Sequence, residues 1–429
     1  VVHQIVLSFN CEMTTVASKQ KQQQQQQRRL LPVVAFFLGF SVLAIIGFLN
    51  NKLNEGTELN SKAFGSSSGQ GWTAPSTATT TKATATTTKP YPFVKKSRGN
   101  DWTIWDGQTI LFQDHNFGQC RWVSYNVRNV QNDRMAETFP KPSEIWSVPM
   151  CVHPTPDIVS DYIAGDDARW LDCPFLVDVW WNVLEQQQNK HKQSTRRQIH
   201  VEIGANIGAC VVDLLLTTPP YVDIIAFEPN PRNLFRITST LKALFAVYPQ
   251  FQSRVQLFPI GLGDETKDDL IFGATSNFGH STVGRGVKEF PAQQFDQGLP
   301  IHIERLDDII DANYASTVDF SVIKLDAQGY ECNIIRGMPT LLSKIKVVSF
   351  EFTNHLLGAF QCNPQTLWDI MSKQHFSFFT RDHYKPVLQN PIPESVQSQQ
   401  MLDLLAIQPG VKQFVDKTPD PEETGGELM

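Results

Sequence analysis

"HVEIGANIGACVVDLL", residues 200–215, begins as an apolar run that ends in a carboxylate. Small residues follow, and an apolar helix pattern starts at once. A β-type run giving way to a helical one across glycines marks a strand-to-helix turn. Glycines at such a turn let the backbone approach a ligand closely, beside the unpaired N–H groups of a helix start. What that ligand is, a dinucleotide, a nucleotide phosphate or a group with no phosphate, depends on the residues around it.

Working outward, the texture from residue 199 is one of β-rich runs alternating with helical patterns. "IHVEIG", "DIIAFEP", "RVQLFPIG", "DFSVIKLD", "KVVSFEF", "FSFFTRD" and "MLDLLAIQ" read as strands. "ACVVDLLLT", "PRNLFRITSTLKALFAV", "ECNIIRGMPTLLS" and "PQTLWDIMSKQ" read as helices between them. Near-continuous apolar strands separated by helices imply an α/β, doubly wound, mostly parallel sheet of seven strands, covered on both faces. A hairpin-like insertion interrupts the alternation around residues 268–304. In such sheets ligands bind beyond the carboxyl ends of the strands.

Glu202, Gly204, Asn206 and Gly208 stand as E-x-G-x-x-x-G. A dinucleotide fingerprint, G-x-G-x-x-G, needs a second glycine where the pyrophosphate passes, and Asn206 occupies that place. The phosphate-binding lysine loop is absent, and "GLGDET" at 261–266 lacks a third glycine. Strand two ends on Glu228, and a carboxylate at that tip can accept hydrogen bonds from a ribose. A glycine turn with a ribose clamp and no phosphate cradle suits a nucleoside that carries a cation, such as S-adenosyl-L-methionine.

"ERLDDII" (304–310), "VDFSVIKLDAQGYECNIIRG" (318–337) and "VVSFEFTNH" (347–355) narrow this further. Together with "VEIGANIG" and "IIAFEPNPRN" they resemble the FkbM family of S-adenosylmethionine-dependent methyltransferases, over about residues 199–385. The resemblance implies a Rossmann-like class I methyltransferase fold with S-adenosyl-L-methionine as cofactor. It places Glu202, Gly204, Ala205, Asn206 and Gly208 beside the methionine moiety, Glu228 on the ribose, and Gly263 and Asp264 near the adenine. Asp264 reads equally as a turn or helix cap. Gln328 stands where the family often has Glu, which speaks against an acid or base at that position.

The implied reaction is O-methylation, which needs the acceptor aligned and its hydroxyl proton removed. Asp326, Glu331 and Lys324 are the candidate catalytic residues, and their competing reading is an ion-pair network that orients the loop. Glu351 at the tip of strand five and His280 in the insertion are further candidate bases. Neither HExxH nor paired CxxC occurs, so no metal is expected. Two alternatives stay open: a protein or lipid acceptor, and a fold retained as a non-catalytic binding module.

The remaining sequence concerns location. A net charge of −6 and a pI near 5.9 argue against nucleic acid as a partner. "LLPVVAFFLGFSVLAIIGFL", residues 30–49, carries no charge; at about 1.5 Å per residue it spans roughly 30 Å, a bilayer's hydrocarbon core. Lys19, Lys21, Arg28 and Arg29 precede it, so the bulk of the chain is expected on the lumenal side. The expected organisation is a cytoplasmic tail (1–29, with Met13 a candidate start), a signal anchor (30–49) and a Ser/Thr-rich flexible stalk (50–91). A Trp-rich upstream region of unassigned role (92–198), an FkbM-like domain (199–410) and an acidic tail (411–429) complete it. That is the layout of a single-pass type II protein of the Golgi or another secretory compartment, with a carbohydrate as the expected acceptor and an oligomeric state the residues leave open. No N-x-[ST] acceptor occurs. Cys120, Cys151 and Cys173 are the better disulfide candidates, whereas Cys210 and Cys332, at helix starts, read as buried thiols.

Overall fold

A computed structural model of the protein describes residues 103–411, apart from 116, 128–145, 155–156, 166–167, 191–195, 276, 285–294, 311, 382–385, 388–391 and 393–401. The expected tail, anchor, stalk and residues 412–429 lie outside these. Among the described residues, no helix is long and apolar enough to cross a membrane.

The upstream region opens with an antiparallel pair, β1 (Arg121–Val127) and β2 (Trp146–Val152). Next comes α1 (Ile158–Ile163), capped by the Asp157 carboxylate, which accepts the Ser160 N–H at 2.9 Å. The longer α2 (Asp172–Lys190) follows. Then β3 (Gln198–Ile203), α3 (Ala209–Thr217), β4 (Val222–Phe227), α4 (Pro231–Val247) and β5 (Val255–Phe258) alternate as the sequence implies. Asn230 caps α4 and Pro231 opens it, where a missing N–H costs nothing.

The interruption at 268–304 forms a separate sheet. Its strands are β6 (Gly261–Leu262), β7 (Lys267–Ala274), β8 (Asn277–Val283) and β9 (Leu299–Glu304), in the order β6-β9-β7-β8. The main sheet resumes with β10 (Asp319–Leu325), α5 (Glu331–Arg336), β11 (Val347–Phe352) and α6 (Pro364–Lys373). It closes with β12 (Ser377–Thr380), β13 (Pro386–Val387) and β14 (Leu402–Ile407).

The main sheet runs β13-β12-β14-β11-β10-β3-β4-β5. Strands β5, β4, β3, β10 and β11 are parallel, and β14 inserts antiparallel between β11 and β12. All seven expected strands are present; the two-residue β13 makes an eighth at the edge. The helix expected over "ECNIIRGMPTLLS" breaks after Arg336. A Cβ on Gly337 would run into the Gly263 backbone, and Pro339 can only restart a helix.

Two apolar clusters fill the two faces of the sheet. Ile199, Val201 and Ile203 of β3 pack with Ile323 and Leu325 on one face. On the other lie Val222, Ile224 and Trp180 of α2. The upstream region is therefore a covering layer of the same core. Polar links fix it: Arg169 grips the fully buried Asp213 of α3 with two bonds of 2.7 and 2.6 Å, and the Tyr125 hydroxyl donates to the same carboxylate at 2.9 Å.

The cysteines pair as Cys120–Cys151, Cys173–Cys210 and Cys332–Cys362. This corrects the reading of Cys210 and Cys332 as free thiols. Helix α2 brings Cys173 to the start of α3, with Cα atoms 4.8 Å apart, and Cys362 comes within 5.9 Å of Cys332. Both separations suit a disulfide, and proximity between segments this far apart leaves no mark in local sequence.

Candidate active site

The tips of β4, β3, β10, β11 and the start of β14 open onto one cavity of about 470 Å³. Strands β3 and β10 set its floor. Gly204 lies at φ 78°, and a Cβ there would collide with the Asp326 carbonyl, so glycine lets the two strand tips close together. Gly208 (φ 87°) precedes α3, where a Cβ would come within 2.6 Å of Ile237. Asn206 is left-handed too (φ 52°), a conformation its short side chain tolerates. Its N–H donates to Glu228 Oε2 at 2.7 Å, and its side-chain Oδ1 is buried with no hydrogen-bond partner.

Glu228 sits at the tip of β4 and lines the cavity. Its Oε1 accepts the Asn230 N–H at 2.9 Å and the Asn233 amide at 3.3 Å, which leaves Oε2 one further acceptor direction. Burial pushes its carboxyl up to about 7, against the pull of the Asn230 and Asn206 N–H groups.

Lys324 lies directly opposite Glu202 across β10 and β3. Its ammonium is 3.2 Å from Glu202 Oε1 and 3.3 Å from Asp326 Oδ2, and it donates to the Gly204 carbonyl at 3.3 Å. Burial alone would lower its pKa, but Glu202, Asp326 and Asp172 hold it well above the usual lysine range. Lys324 is thus a fixed positive charge tying two strand tips together.

Several expected site residues take other positions. Glu202 is 1% exposed and lies below the cavity wall, with Oε2 engaged by His200 Nε2 at 2.7 Å. Ala205 and Gly208 lie behind Gly204 and Asn206 rather than on the wall. Gly263 and Asp264 stand behind it as well, where Asp264 takes the Asn333 amide at 3.4 Å; Ile260, Gly261 and Leu262 face the cavity in their place. Glu331 spends its carboxylate on the Ala327 and Gly329 N–H groups at 2.9 and 3.2 Å, which shapes the turn after β10. Buried there, its carboxyl is pushed up to about 7.

Asp326 and Lys324 do face the cavity, as do Glu351 and His280. Asp326 retains a third of its side-chain surface (34%), so it can meet a ligand. The Gln328 amide donates to Asp326 Oδ1 at 2.9 Å and to Glu351 Oε2 at 3.0 Å, and it also hydrogen-bonds His280. A glutamate at 328 would add a third carboxylate where an amide now bridges two. Glu351 is raised far above the ordinary carboxyl range, first by burial and then by Asp326, Glu331 and Asp403, so it holds its proton at neutral pH. Burial lowers the His280 pKa and keeps its imidazole neutral.

The far wall comes from segments with no motif. Arg381 bridges Asp172 at 2.6 Å and Asp403 at 2.8 Å and lies over the Phe175 ring, 4.6 Å from its centroid. Trp170 closes this side, and Ile158 and Leu171 at the mouth are 61% and 57% exposed. Lone charges and aromatics such as these give no signal in sequence. Only the strict polar–apolar alternation of "QIHVEI" in a strand buried on both faces hinted at the polar network beneath the floor.

Residues 202–378 match the methyltransferase FkbM domain. No curated protein matches the chain. Among solved structures, the chain is similar to a methyltransferase FkbM from Methylobacillus flagellatus KT, at 18% identity and a TM-score of 0.29, over 53% of this chain and 47% of that one. The chain therefore spans about half the length of that bacterial protein. It is also similar to the plantazolicin methyltransferase BpumL in complex with SAH, at 10% identity and a TM-score of 0.27, over 58% of this chain and 89% of that one. The N-terminal domain of human METTL16 in complex with SAH gives 11% identity and a TM-score of 0.26, over 55% and 69%.

The cofactor of such a domain is S-adenosyl-L-methionine, and the cavity suits it. The volume falls in the small-molecule range of about 300–1,000 Å³. The buried, unanswered Oδ1 of Asn206 and the open direction on Glu228 Oε2 are acceptors for the amino and hydroxyl groups such a molecule carries. No metal-binding cluster occurs among the described residues.

Proposed function

We propose, from the premise that residues 202–378 form a methyltransferase FkbM domain, that the protein O-methylates a hydroxyl of a carbohydrate or glycoconjugate in the secretory lumen. The observation that carries this reading is Asp326, a part-exposed carboxylate fixed from both sides by Lys324 and Gln328 at the middle of the cavity floor. When bound, S-adenosyl-L-methionine supplies an electrophilic methyl group on a positively charged sulfur. The cofactor end lies at the tips of β3 and β4, beside Asn206 and Glu228. The acceptor end lies beyond Asp326, between Glu351 and the wall of Trp170, Phe175 and Arg381. Asp326 takes the proton of the acceptor hydroxyl as its oxygen gains the methyl group. Lys324 and Gln328 hold the carboxylate in place.

Three disulfides support an oxidising compartment, since such bonds are rare where thiols are kept reduced. The uncharged 30–49 segment with its basic flank supports a type II anchor and a Golgi-like location. A second reading, a lipid-linked or protein acceptor, is favoured by the exposed Ile158 and Leu171 at the mouth. The deciding experiment supplies methyl-labelled S-adenosyl-L-methionine with free glycans, glycolipids and glycoproteins. Base-stable label on a free sugar supports the proposal, and label on lipid or protein alone moves the acceptor to the second reading. Cofactor binding with no transfer to any acceptor points to a non-catalytic role.

A further inference from the structure

The layer before β3 touches both carboxylates of the cofactor end through buried hydrogen-bond chains. In the first, the Trp180 indole N–H donates to His200 Nδ1 at 2.8 Å, and His200 Nε2 meets Glu202 Oε2 at 2.7 Å. An indole nitrogen can only donate, so Nδ1 is the acceptor and the imidazole proton sits on Nε2, aimed at Glu202. Glu202 Oε1 then holds Lys324, and Lys324 holds Asp326 and the Gly204 carbonyl. Trp180 and His200 are fully buried, and Glu202 nearly so.

The second chain starts just after β2. His153 Nε2 meets Asn233 Oδ1 at 3.0 Å, and the Asn233 amide donates to Glu228 Oε1 at 3.3 Å. With the amide nitrogen committed to Glu228, its oxygen is the acceptor and His153 Nε2 is the donor. His153 is 1% exposed and Asn233 2%. The histidine in each chain thus has its tautomer settled by the partner it meets, and each chain reaches one strand-tip carboxylate.

We infer that the upstream layer is a positioning device for the cofactor site, with Trp180 and His153 as its two outermost positioning residues. This rests on the cofactor reading of the cavity given above. Without Trp180, His200 Nδ1 becomes a buried acceptor with no donor, the ring is no longer pinned from that side, and its Nε2–H grip on Glu202 loosens together with the carboxylate's hold on Lys324. Without His153, the Asn233 amide can rotate away from Glu228. Neither residue lines the cavity, so each acts only through the carboxylate it sets.

The test measures calorimetric affinity for S-adenosylhomocysteine in the full chain, alongside melting temperature. Trp180→Phe keeps the ring and removes only the N–H. It is expected to weaken binding about tenfold, the range for a buried hydrogen bond whose partner is left unanswered. His153→Leu is expected to do the same, whereas His153→Gln, whose amide can donate from a similar position, should come within about twofold of wild type. Nitrogen NMR of the histidine rings should show the His200 proton on Nε2 in the wild type and, in Trp180→Phe, a displaced Nε2–H signal that reports a loosened bond to Glu202. Rescue by glutamine and a moved His200 signal in folded variants support positioning. Wild-type binding that persists unchanged in both folded variants overturns it. Equal loss in His153→Leu and His153→Gln also overturns it, because packing alone would then explain the effect. Failure of the wild type to bind is a different result, which removes the cofactor reading itself and this inference with it. If Trp180→Phe does not fold, the His153 pair decides alone.

Discussion

The two ends of the cavity treat their carboxylates in opposite ways. At the tips of β3 and β4, Glu202 beneath the cavity wall and Glu228 on it are each met by donors: Lys324 and His200 for one, two backbone N–H groups and the Asn233 amide for the other. At the tips of β10 and β11 and the start of β14, Asp326, Glu351 and Asp403 crowd together, the first two bridged by the Gln328 amide and the group bordered by Lys324 and Arg381. On the proposed reading the first end binds and the second does acid–base work, so substitutions at each should fail differently.

The largest effect should come from Lys324→Met, which removes the charge joining the two ends and strands Glu202 in the interior. Loss of one partner of a buried pair costs about 3–5 kcal/mol, and urea unfolding should register a drop of that size. Asp326→Asn confines the damage to the second end. Turnover should fall by about 10²–10⁴-fold, with S-adenosylhomocysteine affinity held within about twofold. Matching losses of turnover and affinity would show Asp326 to be part of the binding end instead.

Glu228 sharpens the contrast through pH. With its carboxyl near 7, the ionised form that accepts a ligand hydroxyl fills in as pH climbs. Affinity for S-adenosylhomocysteine should therefore rise about tenfold from pH 6 to 8, and Glu228→Gln should flatten the rise. The ligand-free protein should slope the other way. A carboxyl raised from 4.5 to about 7 on folding favours the folded state while protonated. That contribution is whole below the unfolded value and lost as pH rises through the folded one. Melting temperature should thus fall across the same window in which ligand affinity grows. The smallest effect is expected from Arg381→Gln. Its partners are part-exposed, so stability should change by about 1 kcal/mol or less, with cofactor affinity untouched and the acceptor KM raised about threefold, as expected for one lost hydrogen-bonding contact.

The place of the first end along the chain was legible in the sequence because its parts are local. Gly204, Asn206 and Gly208 lie in one turn, and Glu228 ends the next strand, so period and spacing locate them. What local reading could not supply was their orientation. Glu202 stands at a strand tip in sequence, yet the alternation of β3 turns it toward α2 and away from the cavity. Glu331 and Asp264 went the same way, drawn into turn and loop hydrogen bonds. The second end was mostly invisible, because Arg381 reaches Asp172 across 209 residues of chain and no periodicity spans that distance. The upstream layer was illegible for the same reason. Its irregular strands and tryptophans acquire meaning only once Asp213, His200 and Asn233 are in place to receive them.

The sheet order carries a consequence for synthesis. Strand β3 is central, yet its partner β10 is made much later: the Lys324–Gly204 contact joins residues 120 positions apart. Until β10 leaves the ribosome, one side of β3 presents unpaired N–H and C=O groups, the kind of edge that recruits stray strands. The domain must wait through the whole β6–β9 sheet before its middle can close, and pairings so distant in sequence fold slowly. A chain cut anywhere before residue 326 should therefore yield an aggregating fragment with an open edge, not a smaller working enzyme.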